Sequence, residues 1–170
     1  EHFELMASTL VPSLLNARAG ERKPLLKVWS AAASTGAEAY TIAMVLAEMA
    51  RQNDALRFAI LGTDISTDVL EQGRRGIYPA EQVAPVPPAL QARYLMWSRR
   101  GGPRADVRIV PELRRLVRFE RLNLMDGAYP YDRDVDIIFL RNVLIYFEKH
   151  DQAAVISRLV GHLRPGGYLL

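Results

Sequence analysis

The hydrophobic positions of the chain alternate between short strand-like runs and longer helical stripes. Residues 27–30 include a valine and a tryptophan, which suit a packed strand. Further along, apolar residues recur at i, i+3, i+4 and i+7, as in a helix that packs on a sheet. These residues are Ile42, Val45, Leu46 and Met49. The pattern predicts a strand, a tight turn and a helix, the first unit of an α/β site whose ligand lies outside the strand's carboxyl end.

The same patterns predict the other elements of one α/β domain. A first helix covers residues 1–16, where apolar side chains fall on one side. Further strands are predicted at residues 58–63, 119–123, 136–140 and 168–170. The run 136–140 is typical of a parallel strand buried on both faces. Asp151 is predicted to cap the last helix. A helix that starts at residue 1 and a strand that has barely begun at residue 170 indicate a piece of a longer protein.

A basic insert is predicted between the third and fourth helical segments. Residues at about 93–119 are expected to form a small antiparallel β insert around a Gly-Gly-Pro turn at 101–103. Residues 99–121 hold eight arginines and three acidic residues, a net charge of +5, whereas the whole chain carries +3. The basicity is therefore local, and it indicates either a solvated arginine face or a docking surface for an anionic partner. An edge strand near 107–110 would offer unpaired backbone groups to an added peptide strand.

Composition narrows the class of protein. The chain has 170 residues, no cysteine and three histidines, and the histidines show no metal-ligand spacing. Disulfides and thiolate chemistry are therefore excluded within the chain, and a metal site is not expected. No apolar run approaches the 18 or so residues that a membrane span needs. These features are typical of one ordinary globular domain.

The loop between the first strand and its helix, residues 31–36, has small side chains and a single glycine, Gly36. A dinucleotide site would show several glycines, because a pyrophosphate needs close approach by several backbone amides. One glycine favours a nucleoside cofactor without phosphates, of which S-adenosylmethionine is the commonest. That cofactor is cationic, so Glu38 behind the loop is a candidate partner. Alternatively, Thr35 and Glu38 form a capping box for the helix.

Polar residues also follow the later strands. Asp64 ends the second strand, where an acidic residue commonly binds ribose hydroxyls, although it could instead cap the next helix. Asn123 ends the third strand, where an amide can reach an adenine edge, but asparagine is also a common turn residue. Asn142 and Tyr146 follow the fourth strand and face the same way if that segment is helical or turn-like. The alternative for Tyr146 is a core aromatic.

Several motifs, in the same order, resemble those of the CheR-type chemotaxis receptor methyltransferases. They are WSAAASTG at 29–36 followed by Glu38 and Tyr40, Asp64-Ile65, GIY at 76–78, Asn123-Leu124, RNVLIYF at 141–147 and LRPGGY at 163–168. The resemblance covers nearly the whole chain. It implies a Rossmann-like S-adenosylmethionine-dependent methyltransferase fold, with a mostly parallel sheet, helices on both faces and a small antiparallel β insert. Residues 1–170 would then be a catalytic domain that lacks the family's N-terminal helical domain and last strands.

The resemblance also implies a function and its residues. Members of the family methylate chemoreceptor glutamates in the cytoplasm, using S-adenosylmethionine and releasing S-adenosylhomocysteine. Cofactor contacts are implied for Glu38, Asp64, Asn123, Leu124, Leu140 and Arg141. Tyr146 is implied beside the transferred methyl group, and Asn142 is a second candidate on that side. One departure is Ala37, which stands where members usually carry an acidic residue.

The implied partner is the cytoplasmic domain of a methyl-accepting chemoreceptor, with its C-terminal tail as a further contact. Arg99, Arg104 and Arg108 in the insert are candidates for this docking. Neither nucleic acid nor membrane insertion is expected. Two alternatives stay open, a nucleic-acid methyltransferase on the same core and a non-catalytic relative that binds cofactor or partner. Against the first, residues 99–118 lack the aromatic side chains that stack on bases.

Overall fold

The structure, a computed structural model, describes residues 2–98 and 105–170. The strands in these ranges are Leu25–Ala31 (β1), Arg57–Asp64 (β2), Ile77–Pro79 (β3), Leu95–Trp97 (β4), Asp106–Ile109 (β5), Val117–Arg121 (β6), Val135–Phe139 (β7) and Leu163–Leu169 (β8). The α-helices are His2–Leu5 (α1), Val11–Ala17 (α2), Ala37–Gln52 (α3), Thr67–Arg75 (α4), Ala80–Val83 (α5), Pro88–Tyr94 (α6), Pro111–Arg114 (α7) and Lys149–Val160 (α8). A π-helical turn, Met6–Leu10, joins α1 to α2, and a 3₁₀ turn, Leu144–Tyr146, follows β7.

Five strands form a parallel sheet in the order β6-β2-β1-β7-β8. β1 lies at its centre, with β2 on one side and β7 on the other. The chain moves outward from β1 through β2 to β6 and then returns to the far side of β1, so the direction of winding reverses there. Ligands of open α/β sheets bind at the carboxyl edge of such a switch point. The predicted α/β class and mostly parallel sheet are confirmed.

Apolar burial explains why these elements pack as they do. Trp29 in β1 is fully buried, and its Nε1 donates to Thr63 Oγ1 in β2 at 2.9 Å. On α3, the predicted stripe faces the interior, since Ile42 and Leu46 are fully buried. The predicted first helix is present as α1, the π-helical turn and α2. Its buried side chains are Met6, Leu10, Val11 and Leu14.

One buried carboxylate joins three segments of the chain. Asp136 in β7 is fully buried, and its oxygens accept hydrogen bonds from three donors. These are Arg18 Nη1 at 3.2 Å, Lys27 N at 2.8 Å and Arg164 Nη1 at 3.1 Å. A buried charge is tolerated only when it is paired and hydrogen-bonded in this way. Asp136 therefore fixes the end of α2 against β1, β7 and β8.

The second sheet has three antiparallel strands in the order β3-β5-β4. The small antiparallel sheet is therefore present, but it begins at Ile77, before the predicted start at about residue 93, and Val117–Arg121 joins the parallel sheet instead. The expectation of an edge strand at 107–110 is wrong, because β3 and β4 pair with β5 on both sides. The predicted turn at 101–103 lies outside the described residues.

The end of the chain differs from the prediction in two details. Helix α8 begins at Lys149 with Glu148 as its N-cap, so Asp151 does not cap it. Asp151 lies in the first turn, where a carboxylate still interacts favourably with the helix dipole. Strand β8 begins five residues earlier than predicted. Its pairing with β7 shifts register between Val135 and Ile137, so the Arg-Pro-Gly-Gly segment forms an irregularity within the strand.

Candidate functional site

The loop that joins β1 to α3 has an unusual backbone. Ala32, Ser34 and Gly36 have φ angles of 89°, 48° and 85°, in the left-handed region that favours glycine. For an alanine or a serine this conformation costs roughly 1–2 kcal/mol, so the surroundings must hold the loop in place. Thr63 O does part of this, because it accepts from Ala32 N at 2.9 Å and from Ala33 N at 2.7 Å. Strained backbone of this kind clusters at ligand sites.

Gly36 is required by space as well as by conformation. A Cβ at this position would lie 2.7 Å from Phe119 Cζ and 3.0 Å from Gly73 Cα. Gly36 is also the N-cap of α3. Tyr40, in the first turn of that helix, donates its hydroxyl to Gly73 O at 2.8 Å, and burial raises the pKa of Tyr40 to about 12. The loop and the start of α3 are therefore packed tightly against α4 and β6.

Asp64, at the end of β2, holds the loop with its side chain. Its Oδ2 accepts from Ser34 N at 2.9 Å, and its Oδ1 accepts from Ser66 N at 3.0 Å. The N-cap of α4 is Ser66, and no side chain caps that helix. The carboxylate therefore does not act as the cap that the sequence allowed as an alternative. It lies at the switch point, partly exposed, between the cofactor loop (residues 32–36) and the end of the sheet.

Glu38 accepts hydrogen bonds from two residues, Ser30 at the end of the preceding strand and Arg141, which is distant in sequence. Its Oε1 accepts from Ser30 Oγ at 2.8 Å, and its Oε2 accepts from Arg141 Nη1 at 3.2 Å. Ser30 is fully buried, whereas the side chains of Glu38 and Arg141 keep 20% and 31% of their surface exposed. The alternative of a capping box with Thr35 is wrong, because Gly36 is the N-cap and no side-chain cap bond forms. The Glu38 carboxylate instead faces the carboxyl edge of the sheet.

A cavity of about 450 Å³ brings the predicted polar residues together. The predicted site residues that line it are Glu38, Asp64, Arg141, Asn142 and Tyr146. The alternative of a core aromatic is wrong for Tyr146, because 79% of this side chain is exposed. Asn142 has a φ of 58°, so it turns the chain between β7 and the 3₁₀ turn. With two carboxylates and one guanidinium, the cavity wall carries a net negative charge that suits a cationic ligand.

A second, more apolar cavity of about 390 Å³ adjoins the first and shares Ala32, Asp64 and Val143 with it. Asn123 and Leu124, two of the residues predicted to contact the cofactor, line this cavity. Its other walls are Thr63, Ile65, Leu122, Met125 and Phe147. Asn123 Oδ1 accepts from Met125 N at 3.0 Å, so this asparagine does build the turn after β6.

Among the described residues, Leu140 and Arg108 are predicted site residues that line neither cavity, and sequence reasoning missed Ser30 and Phe147. Leu140 is buried beneath the edge of the sheet, in the core around Trp29, and lines neither cavity. Arg99 and Arg104 lie outside the described residues. Ser30 was missed as a partner of Glu38, although a serine at the carboxyl end of a buried strand could have indicated it. Phe147 was missed as a cavity wall.

Arg108 lies in the small sheet, away from both cavities. It is exposed in the central strand β5, and its Nε donates to Arg75 O at 3.2 Å. It pairs with Ile77 of β3 on one side and Met96 of β4 on the other, and both of these apolar side chains are also exposed. The three side chains form a row across one face of the small sheet.

Residues 2–98 and 105–170 contain no group of three or more histidine, acidic or cysteine side chains that could hold a metal ion. In the same part of the chain, no helix has the length and apolar character that crossing a membrane requires.

The fold and the placement of the site define the class of this chain. The crystal structure of DszA carbon methyltransferase superposes with a TM-score of 0.51 at 18% identity, covering 93% of this chain and 32% of that one. The [4+2]-cyclase SpnF superposes with a TM-score of 0.50 at 18% identity, covering 92% and 42%. At such low identity the likeness concerns the fold alone. The chain has the Rossmann-like fold of S-adenosylmethionine-dependent methyltransferases.

The family is shown by sequence. The model of the CheR methyltransferase S-adenosylmethionine-binding domain matches residues 1–170. Chemotaxis protein methyltransferase 2 of Pseudomonas aeruginosa is 41% identical over 98% of this chain and 56% of its own length. The chemotaxis protein methyltransferase of Escherichia coli is 41% identical over 99% of this chain and 55% of its own length. The chain therefore belongs to the CheR methyltransferase family, as the resemblance implied, and it spans little more than half the length of these relatives.

The residues present fit S-adenosylmethionine, the cofactor of this family's matched domain. The cofactor loop has no bulky side chain and lies between the two cavities, so a ligand can approach its backbone. Glu38 and Asp64 supply two carboxylates to the wall of the first cavity, and this negative charge suits a ligand that carries a sulfonium or ammonium group. The second cavity has the apolar walls that suit a flat base.

Proposed function

We propose that the protein containing this chain methylates glutamate carboxylates of bacterial chemoreceptors, giving glutamyl methyl esters. The observation that carries this proposal is the first cavity, at the carboxyl edge of the sheet. Its wall is negatively charged, and the exposed Tyr146 lines it. The names of the relatives support methylation in chemotaxis. The glutamate acceptor rests on the family resemblance and on the chemistry of the site.

We assign cofactor binding to residues on both sides of the cofactor loop. Glu38 and Arg141 would hold the charged part of the cofactor, Asp64 would bind its ribose hydroxyls, and Asn123 and Leu124 would contact the base. Leu140 supports this edge from below. When bound, S-adenosylmethionine supplies an electrophilic methyl group. Because Ser30 and Arg141 bind both oxygens of Glu38, its carboxylate is oriented before any ligand arrives, and preorganisation of this kind lowers the cost of binding.

Tyr146 and Asn142 lie on the open side of the cavity, where an acceptor would enter. A glutamate carboxylate has a reference pKa of about 4.3, so it is ionised near neutral pH and needs no general base. The chain has to align the acceptor carboxylate with the methyl donor and exclude water from the cavity. Alignment of two reactants can lower a barrier by roughly 7–11 kcal/mol. We propose that the Tyr146 hydroxyl donates to the incoming carboxylate and fixes its direction, with Asn142 beside it.

We further propose that the small sheet contacts the receptor in the cytoplasm. The exposed row of Ile77, Arg108 and Met96 offers a cation between two apolar side chains, which suits an acidic or carboxylate-terminated segment. An added peptide strand would have to pair with β3 or β4, since β5 is central. Arg99 and Arg104 stay candidates for the same contact.

The test is transfer of a tritiated methyl group from S-adenosylmethionine to a purified receptor cytoplasmic domain by the full-length protein. We expect the label to enter the receptor and to be released as methanol by mild base, because carboxyl methyl esters are base-labile. A receptor whose candidate glutamates are replaced by alanine is the control and should stay unlabelled. Label that resists base, or that enters nucleic acid instead of the receptor, would contradict the proposal.

A further inference from the structure

Tyr78, in strand β3 of the small sheet, reaches out of that sheet to the cofactor loop. Its hydroxyl donates to Thr35 O at 2.8 Å, and only 3% of the side chain is exposed. Thr35 directly precedes Gly36, the N-cap of α3, and lines the cavity that holds Glu38 and Asp64. The bond therefore joins the small sheet directly to the wall of the proposed cofactor site.

The position of Tyr78 is fixed from several sides. It pairs with Val107 of the central strand β5, which is itself 1% exposed. Its ring packs edge-on against Tyr40 of α3, with the two centroids 6.2 Å apart. Burial raises the pKa of the Tyr78 hydroxyl far above its usual value, so it stays protonated and remains a donor.

We infer that Tyr78 is a positioning residue that holds the cofactor loop in its binding conformation and makes the small sheet part of the cofactor site. The loop contains two non-glycine residues in the left-handed region, so it needs bonds from outside to persist. Thr63 and Asp64 supply these bonds from β2. Tyr78 supplies a further bond at Thr35, next to the start of α3. The inference rests on the proposed cofactor site.

Tyr94 provides a matched control within the same part of the fold. It is 7% exposed, and its hydroxyl donates to Glu48 Oε1 at 2.6 Å, which ties α6 to α3. Tyr78→Phe and Tyr94→Phe therefore each remove one buried hydroxyl bond between the small-sheet region and α3 or its loop. Only Tyr78 contacts the cofactor loop.

The experiment measures the binding of S-adenosylhomocysteine to the full-length protein by calorimetry, together with amide hydrogen exchange in the loop. We expect Tyr78→Phe to raise the Kd about 3- to 10-fold, the effect of one neutral hydrogen bond, and to speed exchange at Ser34 and Gly36. Tyr94→Phe should leave the Kd and the loop exchange unchanged. We expect the two variants to lower the melting temperature by similar amounts. Saturating ligand should restore loop protection in Tyr78→Phe.

The two proposals fail in different ways. If the unmodified protein does not bind S-adenosylhomocysteine, the proposed cofactor site itself is refuted. If it binds and Tyr78→Phe matches Tyr94→Phe in Kd and in loop exchange, the positioning role is refuted and Tyr78 serves only stability. A rise in Kd without faster loop exchange would also overturn the role, because the bond would then act elsewhere than on the loop.

Discussion

Replacing Asp64 with alanine should weaken cofactor binding through two separate effects. The first is local, because the variant removes the acceptor for Ser34 N, whose backbone lies in a strained region. A hydrogen bond to a charged group contributes about 1.5–3 kcal/mol, and partial exposure places this one at the lower end. The second effect is loss of the proposed contact between the carboxylate and the cofactor, of similar size. Together they amount to roughly 2–4 kcal/mol, or about 30- to 700-fold in Kd.

The assay is calorimetric titration of the full-length protein with S-adenosylhomocysteine. Asp68→Ala is the matched control, since Asp68 is exposed in the first turn of α4, away from the cavities, and its removal changes the net charge equally. Asp64→Asn should bind with intermediate affinity, because the amide keeps one oxygen as an acceptor but loses the charge. If Asp64→Ala and Asp68→Ala bind within about twofold of one another, Asp64 neither holds the loop nor contacts the ligand, and the reasoning fails.

Three further predictions concern the acceptor side, the core and the small sheet. Tyr146→Phe should lower turnover about 10-fold or more, with the cofactor Kd and the melting temperature unchanged, since it removes an interaction used mainly in the transition state. A lower melting temperature that accompanies the loss of turnover would favour a structural role. Asp136→Asn should lower the free energy of unfolding by about 3–5 kcal/mol in urea titrations, because two arginines lose their buried charged partner. The control is Asp134→Asn at an exposed position, and an equal loss of unfolding free energy in the two variants would contradict the role of Asp136. A peptide with a free C-terminal carboxylate should bind more tightly than its amide in low salt, and Arg108→Ala should remove the difference; equal binding would leave the small sheet without a docking role.

The order of the elements follows from the sequence because hydrophobic periodicity is local. Val28 and Trp29 indicate a packed strand, and the spacing of Ile42 and Leu46 indicates a helix, whatever lies elsewhere in the chain. The small residues of the cofactor loop are also informative, since a loop without bulk between strand and helix is typical of a ligand site. The motifs at 29–36 and 141–147 then indicate the family, which the comparison confirms.

Short elements and buried charges were beyond this reasoning. The strand Ile77–Pro79 has only three residues and lies among prolines, so its own pattern is too short to identify it. Its pairing with β5 is what makes it a strand and turns β5 from an edge into the centre of the small sheet. Asp136 stands in an apolar run, and its burial is possible because Arg18, Lys27 N and Arg164 approach it from other segments of the chain.

The site shows the same division between local and distant causes. From the sequence alone, Glu38 could cap its own helix or face a ligand, because both roles need a carboxylate near a helix start. The structure decides, since the parallel packing of β1 and β7 brings Ser30 and Arg141 to the same edge and they bind both carboxylate oxygens. Tyr146 is likewise exposed because the turn after β7 leaves the sheet. Hydrophobic periodicity indicates which side chains of each segment are buried. The partner of a polar group depends on which strands become neighbours, and only the tertiary structure determines which strands these are.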